Sequence, residues 1–145
     1  MKIDVRRAAE PDLDFIAALE KENFSISEKR EDFEKMLDSA DKVLLVATLD
    51  GERVGYVAAY TVARESDILT IAVEPRFRGS GVGRALILAL FDALSGESDA
   101  VFLEVRKSNE AARKLYASSG FCEIGSRKNY YKLPTEDAIL YKKDL

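Results

Sequence analysis

The chain has 145 residues, 47% of them hydrophobic and 33% charged, with a formal net charge of −4; this fits one soluble globular domain that buries roughly two thirds of its unfolded surface. The mild acid excess, with both signs mixed throughout, argues against duplex nucleic acid as the main partner. There is no histidine and a single cysteine, Cys122, which excludes Ser-His-Asp and Cys-His nucleophile systems, the usual zinc ligand sets and any intramolecular disulfide.

The start, "MKIDVRRAAEPD", lacks an apolar h-region, so no signal peptide is read there. Ile3–Ala8 alternates as a first strand. Pro11 stands where a helix would begin, and Leu13, Ile16 and Ala17 carry helical spacing to about Glu22. A second helix is expected from Ser27 as cap, with Phe33, Met36 and Leu37 on one stripe and the rest solvated. Asn23, Phe24 and Ser25 form the bend between them. "VLLVATL", Asp50-Gly51 and "RVGYVAAYTV" make a hairpin, since Asp-Gly supplies the positive φ its turn requires. Asp67–Val73 is the next strand. Three strands with no helix between them imply an antiparallel meander. The glycine segment then leads into a deeply packed helix over about Gly81–Leu94. Its apolar run, Ala85–Phe91, is too short to span a bilayer. Ala100–Val105 is a strand. "SNEAARKLYASSG" is a helix capped by Ser108 or Asn109, with Gly120 just past its end. Phe121–Tyr131 and Glu136–Leu145 are two last strands around a loop at Lys132–Thr135. The order β-α-α-β-β-β-α-β-α-β-β predicts one α+β domain over residues 1–145, with a mixed, mostly antiparallel seven-stranded sheet and four helices.

Strand, glycine-rich turn and helix N-terminus together bind anions. The first amides of a helix have no internal partner, and the helix dipole concentrates positive charge there. In "RFRGSGVGRALILAL", Gly79, Gly81 and Gly83 leave the amides open, and Arg78 and Arg84 offer charge-assisted contacts. A Walker A loop requires Lys-Ser/Thr after its last glycine, whereas this chain has Arg84-Ala85. A dinucleotide fingerprint requires G-x-G-x-x-G at a strand end, and the upstream meander does not suit a doubly wound sheet.

"VEPRFRGSGVGRAL" resembles the acetyl-CoA-binding signature of the GCN5-related N-acetyltransferase (GNAT) superfamily, with Arg78, Gly81 and Gly83 at its core positions. The resemblance covers nearly the whole chain. It implies that amides from about Arg78 through Gly79, Ser80, Gly81, Val82 and Gly83 to Arg84 cradle the pyrophosphate. It places Ile71, Ala72 and Val73 along the pantetheine arm, and splays Ile68–Val73 and Ala100–Val105 apart to admit it. A narrower likeness, to ribosomal-protein alanine N-acetyltransferases and archaeal N-terminal acetyltransferases, rests on "ENFS", "FLEVRKSNEAARKLYASSGF", Asn129-Tyr130-Tyr131 and Glu136-Asp137-Ala138.

That resemblance makes Glu104 the general base, Tyr116 the general acid toward the coenzyme A sulfur, and Asn109 a contact to the pantetheine or the coenzyme end. An apolar strand around Glu104 would raise its pKa by desolvation. A free strand amide near Val73 would stabilise the oxyanion. Each residue also has a bland reading: Glu104 paired with Arg106 or Lys107, Tyr116 as core, Asn109 as a helix cap. Phe24, Ser25, Tyr130 and Tyr131 flank the amine entrance by the same analogy. An α-amine and a lysine differ by about 2.5 pKa units, or roughly 3.4 kcal/mol of deprotonation cost, and this favours protein N-termini as acceptor. The expectation is therefore an acetyl-CoA-dependent N-acetyltransferase acting on a protein or peptide N-terminus, a ribosomal protein among the candidates. It needs no metal, nucleic acid or membrane, is cytoplasmic, and is a monomer or weak dimer. Lysine, polyamine or small-molecule amines remain alternative acceptors, as does a noncatalytic acyl-CoA sensor.

Overall fold

The computed structural model describes residues 2–145. Strand β1 (Ile3–Arg7) leads through one turn of 3-10 helix (Glu10–Asp12) into α1 (Leu13–Asn23) and then α2 (Arg30–Leu37). The meander follows as β2 (Lys42–Leu49), β3 (Glu52–Val62) and β4 (Glu65–Val73). Then come α3 (Val82–Leu94), β5 (Ala100–Arg106), α4 (Glu110–Ser118), β6 (Cys122–Tyr131) and β7 (Glu136–Asp144). All seven strands form one sheet in the order β1-β2-β3-β4-β5-β7-β6. The expected α+β architecture, seven strands and four α-helices, is the one found.

The first helix differs in its start. Pro11 opens the 3-10 turn rather than the α-helix, which begins two residues later at Leu13. Helix α2 begins at Arg30, not after Ser27, and Asp32 accepts a hydrogen bond from the Lys29 N–H at 2.9 Å as its cap. The reason is upstream. The Glu28 N–H donates to the Glu20 carboxylate at 2.9 Å, which holds this stretch against α1 before the helix can start. The hairpin is as the Asp-Gly pair requires, with φ +50° at Asp50 and +87° at Gly51.

Helices α1 and α2 cover one face of β2–β4, around Leu13, Ile16, Leu19, Phe33 and Tyr56. Helix α3 covers the other face through Val82, Leu86, Ile87, Leu90 and Leu94, and its core continues through Leu103, Val105, Tyr116 and Phe121. The meander is antiparallel throughout. A bulge lies opposite Ala58 and Ala59: Ala58 pairs Thr70 and Ala59 pairs Ile68, leaving Leu69 as the extra residue. Strands β4 and β5 are parallel but pair at only three positions, Glu65–Ala100, Ser66–Val101 and Asp67–Phe102. Beyond Asp67 they diverge, as expected, and the slot between them is where the site forms.

Candidate active site

The turn before α3 shapes one end of the slot. Gly81 caps the helix with φ +91°, and Gly79 has φ +81°. Both lie in the left-handed region that L side chains disfavour. The N–H groups of Gly79, Gly81, Val82, Gly83 and Arg84 have no acceptor among the described residues. Those of Arg78 and Ser80 are used within the turn, donating to Pro75 and Phe77 carbonyls at 3.3 Å. Five open amides at a helix N-terminus suit a phosphate group. Gly83 serves packing as well. A Cβ there would lie 2.8 Å from Leu115 Cδ2, so the glycine permits the close approach of α3 and α4.

The arginines do not point freely at an anion. Arg84 donates to the Ser118 carbonyl at 3.0 Å, tying α3 to the end of α4. Arg78 donates to the Val73 carbonyl at 3.3 Å and to Asn23 Oδ1, joining the glycine turn to the end of α1. Asn109 caps α4, its side chain accepting from the Ala112 N–H at 3.2 Å.

A cleft of about 960 Å³ opens along the slot, near the upper size for a small-molecule site. Its walls include Ile71, Ala72, Val73, Arg78, Gly79, Gly81, Gly83, Arg84, Asn109, Glu104, Tyr116, Phe24 and Tyr131. Most of the residues singled out by sequence are thus brought together. Ser25, Ser80 and Tyr130 stand outside the wall. The Val82 side chain is buried in the core, so it offers only its N–H.

Glu104 departs from expectation in its surroundings. Its neighbours Leu103 and Val105 are buried, but Glu104 faces the opposite side of β5, where no helix covers the sheet, and it is exposed. The dry surroundings expected from the apolar strand are therefore missing. Nor is it paired with Arg106 or Lys107: Arg106 bonds Glu136 instead. The Tyr130 hydroxyl lies 3.5 Å from Glu104 Oε2, at the outer limit of a hydrogen bond.

Tyr116 is only 6% exposed. Its ring packs between Phe121 and Tyr141, with centroids at 5.8 and 6.1 Å. Among the described residues nothing accepts from or donates to its hydroxyl. Burial, and then the neighbouring Tyr131, push its pKa above the ordinary tyrosine range, so it keeps its proton at neutral pH. Burial and then the Glu104 carboxylate push Tyr131 up to about 12. The cleft therefore holds an accessible carboxylate and protonated phenols, groups able to take and give a proton without histidine.

Residues 13–121 match the family described as Acetyltransferase (GNAT) family. The chain belongs to this family. It is 36% identical over 116 residues to N-alpha-acetyltransferase RimI of Mycobacterium tuberculosis, across 77% of this chain and 72% of that one. It is 42% identical over 98 residues to the ribosomal protein bS18-alanine N-acetyltransferase of Escherichia coli K12, across 64% of this chain and 65% of that one. The crystal structure of the ribosomal-protein-S18-alanine N-acetyltransferase from Escherichia coli superposes with TM-score 0.87 at 29% identity, over 99% of this chain and 94% of that chain. As a GNAT protein the chain is an N-acetyltransferase that uses acetyl-CoA.

Two features of this GNAT cleft escape a reading of the sequence. Glu20 is 3% exposed yet lines the cleft, accepting from the Tyr56 hydroxyl, from the Thr70 hydroxyl at 2.6 Å and from the Glu28 N–H. Its signal is a carboxylate on the same stripe as Leu13 and Ile16, at i+7 and i+4. Leu69, the bulged residue of β4, also lines the wall. A bulge opposite two alanines leaves no mark in the alternation. Among the described residues, no helix is long and apolar enough to cross a membrane.

Proposed function

We propose that this enzyme acetylates the N-terminal α-amine of a protein, in the manner named for its ribosomal-protein alanine N-acetyltransferase relatives. The reading rests on one juxtaposition: open amides at one end of a cleft, and further along it an exposed carboxylate and a largely buried, protonated phenol that line the same cleft. The amides of Gly79, Gly81, Val82, Gly83 and Arg84 hold the diphosphate, and the free edge of β4 at Ile71–Val73 runs beside the pantetheine arm. Acetyl-CoA, when bound, supplies an activated acyl carbon as a thioester. Glu104 takes the proton of the attacking amine, directly or through water, as the N–C bond forms. Tyr116 gives its proton to the departing sulfur as the C–S bond breaks. Phe24, 37% exposed, and Tyr131 both line the cleft and wall the first acceptor residue, with Tyr130 at the rim.

Thiol release and mass spectrometry on short peptides varied at the first residue test this reading. Acetyl transfer to the α-amine is expected, and transfer only to lysine or to small amines would overturn it. Glu104→Gln should lower kcat about a hundredfold or more, and Tyr116→Phe about tenfold or more, both with acetyl-CoA affinity intact. With no histidine in the chain, the rising limb of the pH profile reports the acceptor itself. The rate on an α-amine should rise with pH and level off near pH 8, whereas the rate on lysine would keep rising toward pH 10.

A further inference from the structure

Tyr131, the last residue of β6, lines the cleft, and one side chain holds it and the turn after it at four points. Arg106, two residues beyond Glu104 on the same face of β5, reaches into the turn between β6 and β7. Its guanidinium donates to the Lys132 carbonyl and the Pro134 carbonyl, both at 2.8 Å, and to Glu136 Oε1 at 3.3 Å. The same group lies over the Tyr131 ring, 4.6 Å from its centroid. The other oxygen of Glu136 accepts from the Ser108 N–H at 2.6 Å, in the loop before α4. A planar guanidinium can satisfy two carbonyls, a carboxylate and a ring face at once; an ammonium cannot. The ends of β6 and β7 are also joined by the Tyr131–Glu136 pair and by the Asn129 N–H to Asp137, but the turn itself, with Leu133 exposed at its tip, is gripped from β5 by Arg106.

We propose that Arg106 is a positioning residue for the acceptor: it sets the Tyr131 wall at a fixed distance from Glu104, through the turn at Lys132–Pro134, and so governs acceptor binding and not coenzyme binding. This rests on the reading of Tyr131 as acceptor wall given above. Arg106 also lines the cleft, but its guanidinium is committed to the turn and to Glu136. Because β5 carries both Glu104 and Arg106, the base and the residue that holds the wall share one strand.

The test is steady-state kinetics of the full chain with an α-amine peptide, with acetyl-CoA binding and thermal midpoint measured in parallel. Arg106→Lys keeps the charge and loses the fork. It should raise the peptide KM about tenfold, leave kcat within about twofold, and leave acetyl-CoA affinity and the midpoint unchanged. Glu136→Gln, at the other end of the clasp, should give a smaller split of the same sign. In a Tyr131→Leu background the Arg106→Lys effect should shrink to nothing, since the two act as one unit. An unchanged peptide KM overturns the proposal, and so does a joint loss of peptide binding, coenzyme affinity and thermal midpoint, which would mark a merely structural role. If the wild type acetylates only lysine or small amines, the same split measured on that amine still decides the role of Arg106, and only the substrate reading falls.

Discussion

Single residues carry the sharpest consequences. Asp12 is 1% exposed and accepts from Arg6 at 2.8 and 2.9 Å, from the Ala9 N–H at 2.8 Å and from Arg53 at 2.7 Å. The Arg6 hydrogen bond first, then the Ala9 N–H and Arg53, hold its carboxyl well below the usual carboxylate range. A depressed folded pKa contributes stability that is present above the unfolded value near 3.9 and lost as pH falls below it. Urea unfolding of the wild type should therefore weaken below about pH 4. Asp12→Asn should be less stable by about 3 kcal/mol at pH 7 and should lose much of that acid slope. Gly55 is a second such point. A Cβ there would meet the Ala72 carbonyl oxygen at 2.8 Å, and backbone cannot swing aside as a side chain does. Gly55→Ala should lower stability by about 2 kcal/mol, read as a lower urea midpoint at unchanged m. Neither role is legible in sequence: Asp12 looks like a helix-start carboxylate and Gly55 like a strand interruption, because their partners lie on distant segments.

At the scale of elements, legibility follows the locality of the signal. The Asp50-Gly51 hairpin and the cap-and-glycine bounds of α4 depend on nearest neighbours, and the structure has them where the residues put them. The start of α2 falls later than its own residues suggest because a distant group, Glu20, takes the Glu28 N–H. The site residues are legible as a group through the glycine turn and the β5–α4 segment. Their environments are not. Alternation along β5 reveals that Glu104 and Leu103 face opposite ways, but not that α1 and α2 stop short of that half of the sheet. The glycine turn yields a test at this scale. Gly81→Ala forces a side chain into φ +91° at the cap of α3. It should cost about 1–2 kcal/mol and misdirect the open amides, weakening acetyl-CoA binding measured by calorimetry about tenfold or more.

The whole molecule is a continuous sheet in order but not in strength. Its two portions, β1–β4 and β5–β7–β6, meet through three backbone pairs at Glu65–Asp67 and Ala100–Phe102 and through the packing of α3, which covers the first portion, against α4, which lies on the second. A ligand that binds the folded state alone raises stability by about 2.7 kcal/mol at a hundred times its dissociation constant, so saturating acetyl-CoA should shift the thermal midpoint upward.

The short seam between β4 and β5 also predicts where that gain appears. Past Asp67 and Phe102 these strands have main-chain edges with no cross-strand neighbour between them, so local opening there needs few bonds to break. A linear molecule lodged in the gap would act as a removable rung. Those amide hydrogens of Ile68–Val73 and Leu103–Val105 that face the gap, and not β3 or β7, should then exchange with deuterium quickly in the free enzyme and slowly once it is loaded, while those of β2 and β3 keep one rate throughout.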